Sequence, residues 1–160
     1  NETGLAFPQD TPGEILVRGE TVMAGYWKNE EASAAALQDG FLHTGDVGAF
    51  DADGYLFLKD RSRDLIISGG SNIYPREVEE VLLRHPGVRE VAVVGVPDRK
   101  WGEIVKAVVV PDDPDDPPDA DSLRALVGEH LARFKVPAIV EYATELPRNP
   151  SGKILRRRLQ

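Results

Sequence analysis

Apolar residues fall in short runs broken by turn formers through the first third of the chain. "EILVRG" (residues 14–19) and "YLFLKD" (55–60) read as strands, the second entered through the "DADG" turn at 51–54. Between them "NEEASAAALQDG" predicts one helix, with Asn29 as N-cap, Glu30 and Glu31 in the first turn and Gly40 as the stop. After Asp60 the elements lengthen and alternate. Strand "LIIS" (65–68) leads to a helix from Pro75 to His85, then strands "VAVVGV" (91–96) and "IVKAVVV" (104–110). An amphipathic helix from Ser122 to Arg133 and a strand "AIVEYA" (138–143) complete an α+β rhythm. Pro75 suits a first helical position, where its missing N–H costs nothing, and Glu77, Glu79 and Glu80 suit the positive end of the helix dipole.

Two stretches interrupt this pattern. "PDDPDDPPDAD" (111–121) carries six Asp and four Pro, which resist helix and strand and repel one another, so it reads as a solvated loop. Its carboxylates lack the glycine and glutamate positions of an EF-hand. "KDRSRD" (59–64) has five charged residues of six between two apolar strands and joins two differently patterned regions, as a hinge would. We therefore divide the chain into a β-rich part, 1–59, a hinge, 60–64, and a small α+β part, 65–160.

With 160 residues and 41% apolar composition the chain can bury a core. Its formal charge of -8 opposes broad attraction to nucleic acid or anionic membrane, so a bound anion needs a local cation cluster. No cysteine is present, which removes disulfides and thiolate metal sites. There is no apolar run of the roughly 20 residues that span a bilayer, and "NETGLAFPQDTPGEI" lacks an export pattern, so the expectation is a cytoplasmic protein.

The local cation cluster is at the end. "RNPSGKILRRR" holds five cations between Arg148 and Arg158 with no acid among them. A solvated tail and a nucleic-acid patch are the plain readings. Against them, Pro150 and Gly152 set a turn directly before Lys153, and Ile154 and Leu155 supply apolar anchors, so the ammonium is aimed at a phosphate or carboxylate oxygen. Elsewhere, "HTGDVG" puts Asp46 where a carboxylate could accept both hydroxyls of a ribose, although Thr-Gly-Asp is also a common turn. "SGGSNIYP" joins a strand to a helix through Gly69 and Gly70. Its spacing matches neither dinucleotide nor P-loop patterns, leaving a tight turn or passage for a slender ligand. Trp101 is either a stacking platform or a core residue. His43, His85 and His130 lie in separate elements and read as surface or capping residues, with no metal site expected.

In order, "GYW", "HTGD", "DGYLFLKDRSRDLIISGGSNIYPREVEEVLLRHPGVREVAVVGVPD", "WGE" and "LPRNPSGK" resemble the C-terminal part of adenylate-forming enzymes. That superfamily holds acyl- and aryl-CoA synthetases, luciferases and peptide-synthetase adenylation domains. The resemblance runs from about residue 12 to residue 159. It implies a fatty or aryl acid:CoA ligase that uses ATP with Mg²⁺ to make acyl-AMP, after which the thiol of coenzyme A displaces AMP. In that scheme Lys153 is catalytic and reaches the α-phosphate and attacking carboxylate. Asp46 and Arg61 hold the ribose, and Arg63 is the hinge residue, where the family usually has aspartate or lysine. Gly69, Gly70 and Trp101 line the pantetheine channel, and Phe134 and Lys135 meet the CoA nucleotide.

The family's phosphate loop, adenine motif and acyl pocket are absent from these residues. The resemblance thus implies a small mobile C-terminal domain preceded by a remnant of a large N-terminal AMP-binding domain, inactive alone. Its partner would be that missing domain, with carboxylic acid and CoA as substrates. The open strand faces of residues 1–59 would be mobile or covered by another copy. An adenylation domain loading a carrier protein, a luciferase-type oxygenase and a non-enzymatic binding module remain the alternatives.

Overall fold

The computed structural model describes residues 8–160, so the first seven residues, which carry part of the 1–59 expectation and of the export reading, lie outside the described residues. The fold class is α+β, and the chain divides into two compact units between Arg63 and Asp64.

The first unit is an antiparallel sheet built around one long strand. Strand β1 (Gly13–Val17), helix α1 (Glu30–Ala36), and strands β2 (Leu37–Gln38), β3 (Phe41–Phe50) and β4 (Leu56–Arg61) follow in order. β3 pairs with β1, β2 and β4. Asn29 caps α1 by accepting the Ala32 N–H at 3.0 Å. Gly40 has a different task from the helix stop expected of it. The helix already ends at Ala36, and Asp39 (φ 51°) and Gly40 (φ 79°) form the two-residue turn between β2 and β3. In the "DADG" turn, Asp51 Oδ1 accepts the N–H groups of Asp53 and Tyr55 at 3.0 and 2.7 Å, and Gly54 has φ 84°. Burial is thin, with Val47 and Ala49 inside while Trp27, Tyr55, Phe57 and Leu58 stay exposed.

The second unit has a proper core. It contains β5 (Ile66–Ser68), β6 (Ser71–Ile73), α2 (Pro75–Leu82), β7 (Val88–Asp98), β8 (Gly102–Pro111), α3 (Ala120–His130) and β9 (Ile139–Tyr142). The sheet order is β6-β5-β8-β7, with β9 parallel to β8. Side chains alternate across it. Val91, Val93, Val105, Ala107 and Val109 pack with Val78, Val81 and Leu82 of α2 and Leu123 and Val127 of α3. Ala92, Val94, Val108 and Val110 face the other way, onto Leu146, Ile154 and Leu159 of the C-terminal segment. The segment around Lys153 is therefore a cover of the sheet's second face.

Three boundaries differ from the sequence pattern. β7 extends to Val88 and Asp98 because a long antiparallel ladder with β8, from Val88↔Pro111 to Asp98↔Gly102, holds its polar ends. α2 stops at Leu82, where Arg84 N–H to Val81 O and His85 N–H to Leu82 O tighten the last turn before Pro86. α3 begins at Ala120, since Asp119 Oδ2 accepts the N–H groups of Asp121 and Ser122 at 3.1 and 3.0 Å. Among the described residues no helix is long and apolar enough to cross a membrane.

Candidate functional site

In the first unit, Asp46 and Arg61 sit opposite each other on β3 and β4, with Nε 2.8 Å from Oδ1. The Thr44 hydroxyl donates to Ile15 O at 2.8 Å and accepts the Asp46 N–H at 3.0 Å. Glu14 holds the preceding residues, with one oxygen 3.1 Å from His43 Nδ1 and the other accepting the Gly45 N–H at 3.1 Å. The two residues expected at a ribose are thus neighbours, and the carboxylate is still 35% exposed. His43 meets a carboxylate that is 29 positions away in sequence, a contact its local surroundings did not announce. Arg63 lies in the 3-10 turn Ser62–Asp64.

In the second unit, Gly69 and Gly70 do not lead from strand to helix. They are the two-residue turn of the β5–β6 hairpin, with φ 56° and 80°, a conformation that disfavours any side chain. Trp101 closes on this turn. Its carbonyl accepts the Gly69 N–H at 2.8 Å, and a Cβ on Gly69 would lie 2.9 Å from its indole ring. The Asp98 carboxylate sets the Trp101 loop by accepting the N–H groups of Lys100 and Trp101, both at 2.8 Å. The ring remains half exposed, with Lys100 Nζ 4.6 Å from its centre. It is therefore a surface platform. Glu103 Oε2 secures the hairpin by accepting the Ile67 N–H at 2.8 Å.

Phe134 and Lys135 occupy a separate turn after α3. Phe134 is exposed, while Lys135 Nζ is 2.7 Å from Glu77 Oε2. The other Glu77 oxygen accepts the Tyr74 N–H at 3.2 Å, directly after β6, so the turn is tied to the base of the glycine hairpin. Burial, and then the Glu77 charge, push the Tyr74 phenol above its ordinary pKa.

The Lys153 turn is built by Asn149. Its Oδ1 accepts the N–H groups of Ser151 and Lys153 at 3.1 and 2.8 Å and the Ser151 hydroxyl at 2.8 Å. Gly152 has φ 83°, and its carbonyl accepts from Arg148 Nη1 at 2.8 Å. Two of the five cations are paired by acids far away in sequence, Arg148 by Glu90 and Arg156 by Glu79. The ammonium of Lys153 is exposed and, among the described residues, has no hydrogen bond or ion pair. Sequence reasoning missed Asn149, although an Asn preceding Ser-Gly is a turn-building signal. The α2 glutamates are more than charges at a helix dipole: Glu77 holds Lys135, Glu79 holds Arg156 and Glu80 pairs with Arg76.

A family profile described as the AMP-binding enzyme C-terminal domain matches residues 77–153. Residues 77–153 carry the AMP-binding enzyme C-terminal domain. The matched stretch runs from Glu77 to Lys153 and includes Trp101, Phe134 and Lys135. Beyond the AMP-binding C-terminal domain itself, the whole chain has relatives. A feruloyl-CoA synthase from Amycolatopsis sp is 51% identical over 96% of this chain, and a long-chain-fatty-acid–CoA ligase from Bacillus subtilis is 50% identical over 99%. The chain spans 31% and 28% of those two proteins. Among solved structures, an amide bond synthetase, McbA, from Marinactinospora thermotolerans superposes with a TM-score of 0.90 at 46% identity, over 99% of this chain and 32% of that one. The o-succinylbenzoate CoA synthetase MenE from Bacillus subtilis, in complex with the acyl-adenylate intermediate OSB-AMP, gives 0.89 at 45% identity, over 96% and 31%.

Proposed function

We propose that this chain supplies the C-terminal part of an ATP-dependent, AMP-forming acid–thiol ligase. A carboxylic acid and ATP yield acyl-AMP and pyrophosphate, and the thiol of coenzyme A then displaces AMP. The observation that carries the reading is the Lys153 turn: a pre-ordered loop presents an ammonium that is unpaired among the described residues, while Arg148 and Arg156 beside it are bound to acids. An anion is what such a group fits.

In this scheme Lys153 offsets the charge that builds on the α-phosphate oxygens as the carboxylate takes the adenylyl group of ATP and pyrophosphate leaves, with Mg²⁺ accompanying ATP. A single preorganised donor of this kind is typically worth ~2.7–4 kcal/mol. Asp46 accepts from the ribose hydroxyls and Arg61 holds that carboxylate in place. Gly69, Gly70 and Trp101 form one wall of the pantetheine passage, and Phe134 and Lys135 lie toward the CoA nucleotide. Residues 60–64 act as the hinge, with Arg63 as the pivot, so that the Lys153 turn and the glycine hairpin reach the active site in different poses. The phosphate loop, adenine site and acyl pocket belong to the remainder of the large domain, which also covers the exposed aromatic and aliphatic face of β4. On this reading the 160 residues by themselves catalyse neither half-reaction, and acid-dependent pyrophosphate exchange by the isolated chain would refute it.

The near-equal identity to a feruloyl- and a long-chain-fatty-acid enzyme supports a choice of acid made outside this chain. The similarity to an amide bond synthetase supports a second reading, in which an amine replaces the thiol. In the full-length protein, Lys153→Ala should abolish acid-dependent pyrophosphate exchange while largely sparing thioester formation from preformed acyl-AMP. Equal loss of both half-reactions contradicts the role of the lysine. Offering CoA, a holo-carrier protein and simple amines to the wild-type acyl-AMP complex separates the acceptors.

A further inference from the structure

β7 is an edge strand: among the described residues it pairs with β8 alone. At Val93 its outward N–H and C=O are both taken by side chains. The N–H donates to Glu79 Oε1 at 2.7 Å, and the carbonyl accepts from Arg156 Nη1 at 2.6 Å. The same two side chains bind each other, Nη1 to Oε1 at 2.5 Å and Nη2 to Oε2 at 3.1 Å. Glu79 comes from α2 on one face of the sheet, and Arg156 from the C-terminal segment that covers the other face. The bidentate pair thus stands in for a missing neighbouring strand and ties the two layers together over the edge. The side chains are only 21% and 13% exposed. A third group joins them, since Arg156 Nε lies 3.8 Å from Asp64 Oδ2, on the first residue of the unit.

Lys153 precedes Arg156 by three positions, and Ile154 and Leu159 on either side are packed on the sheet. Arg148 on Glu90 holds the segment on one side of Lys153, and on the other side, with the apolar packing of Ile154 and Leu159, a guanidinium bound to a backbone carbonyl and a carboxylate leaves it one position. We infer that Arg156, held by Glu79, Val93 and Asp64, is a positioning residue that fixes the register of the Lys153 turn and couples it to the start of the small unit. This rests on the ligase reading for its effect on chemistry, but not for its effect on the turn.

The test has two arms. In the full-length protein, Arg156→Met keeps the stem and removes the guanidinium. It should lower the rate of acyl-AMP formation about 10- to 100-fold through a misplaced Lys153, with thioester formation from preformed acyl-AMP within about threefold of wild type. Arg156→Lys should recover part of the loss. Equal loss in both half-reactions, or no loss, overturns the inference. If Arg156→Met does not fold, Glu79→Gln keeps an acceptor for the Val93 N–H and carries the same expectation. In the 160-residue chain, Arg156→Met should raise amide hydrogen exchange at Gly152 and Lys153 at least about tenfold and leave Gly69 unchanged. Unchanged exchange at the Lys153 turn overturns the inference even if the wild-type full-length protein makes no acyl-AMP, which would refute the ligase reading separately.

Discussion

Replacing Gly69 by alanine asks two separate things of the glycine hairpin. The first is conformational: φ 56° is left-handed, and an L-residue there costs roughly 1–2 kcal/mol. The second is steric. The new Cβ would stand 2.9 Å from Trp101 Cε3 and 3.2 Å from Cζ3, so the ring must move. The Gly69 N–H to Trp101 O bond holds the backbones together, which leaves side-chain rotation as the relief; overpacking of this kind costs ~1 kcal/mol at its low end for a half-exposed ring. Gly70 is the internal control, because its φ is 80° and a Cβ there meets nothing within 4 Å. Gly70→Ala should therefore cost about 1–2 kcal/mol and Gly69→Ala roughly 2–3. In a small domain the difference corresponds to about 4–8 °C in Tm. Denaturant melts of the chain followed by circular dichroism would measure both, and Trp101→Ala closes a double-mutant cycle. Without the ring, Gly69→Ala should fall to the cost of Gly70→Ala, a coupling of about 1 kcal/mol. If Gly69→Ala costs the same with and without the indole, to within about 0.3 kcal/mol, the claim that Trp101 packs on this turn is wrong.

Asp119→Ala should destabilise the second unit by about 1 kcal/mol, seen as a lower thermal midpoint, because two N–H groups at the start of α3 lose their acceptor; Asp119→Asn should recover most of it. Alkaline pH should also weaken the fold. The Tyr74 and Tyr142 phenols have raised pKa values, from burial first and then from Glu77 and Asp119 respectively, so the fold favours the neutral phenol. That stability is fully present below the unfolded value of 10.0 and is lost as pH rises through the raised folded values. A double Tyr74→Phe, Tyr142→Phe variant should flatten the loss in denaturation series above about pH 9; an unchanged slope counts against the assignment.

Local pattern made the α+β class legible, together with the DADG turn, the Asn29 cap and the turn before Lys153. These depend on contacts within a few positions, which composition and spacing record directly. The glycine pair was harder. "SGGS" permits either a strand-to-helix link or a hairpin, and only the pairing of Ile66 with Ile73 and Ser68 with Ser71 makes it a hairpin. The extent of β7 was equally hidden, since Arg89, Glu90 and Asp98 have little strand preference of their own and are held by the ladder.

By itself the sequence determined which backbone segments are regular, where turns fall and which cation stands on a shaped loop. It could not decide which charges are already spent. Arg148 and Arg156 looked as available as Lys153 until the fold brought Glu90 and Glu79, 58 and 77 positions away, to meet them. Ion pairing is set by distance in space, and two faces of one sheet place distant residues over the same edge. Tertiary structure thus turned two cations of a run of five into structural clamps and left the Lys153 ammonium, among the described residues, without a partner.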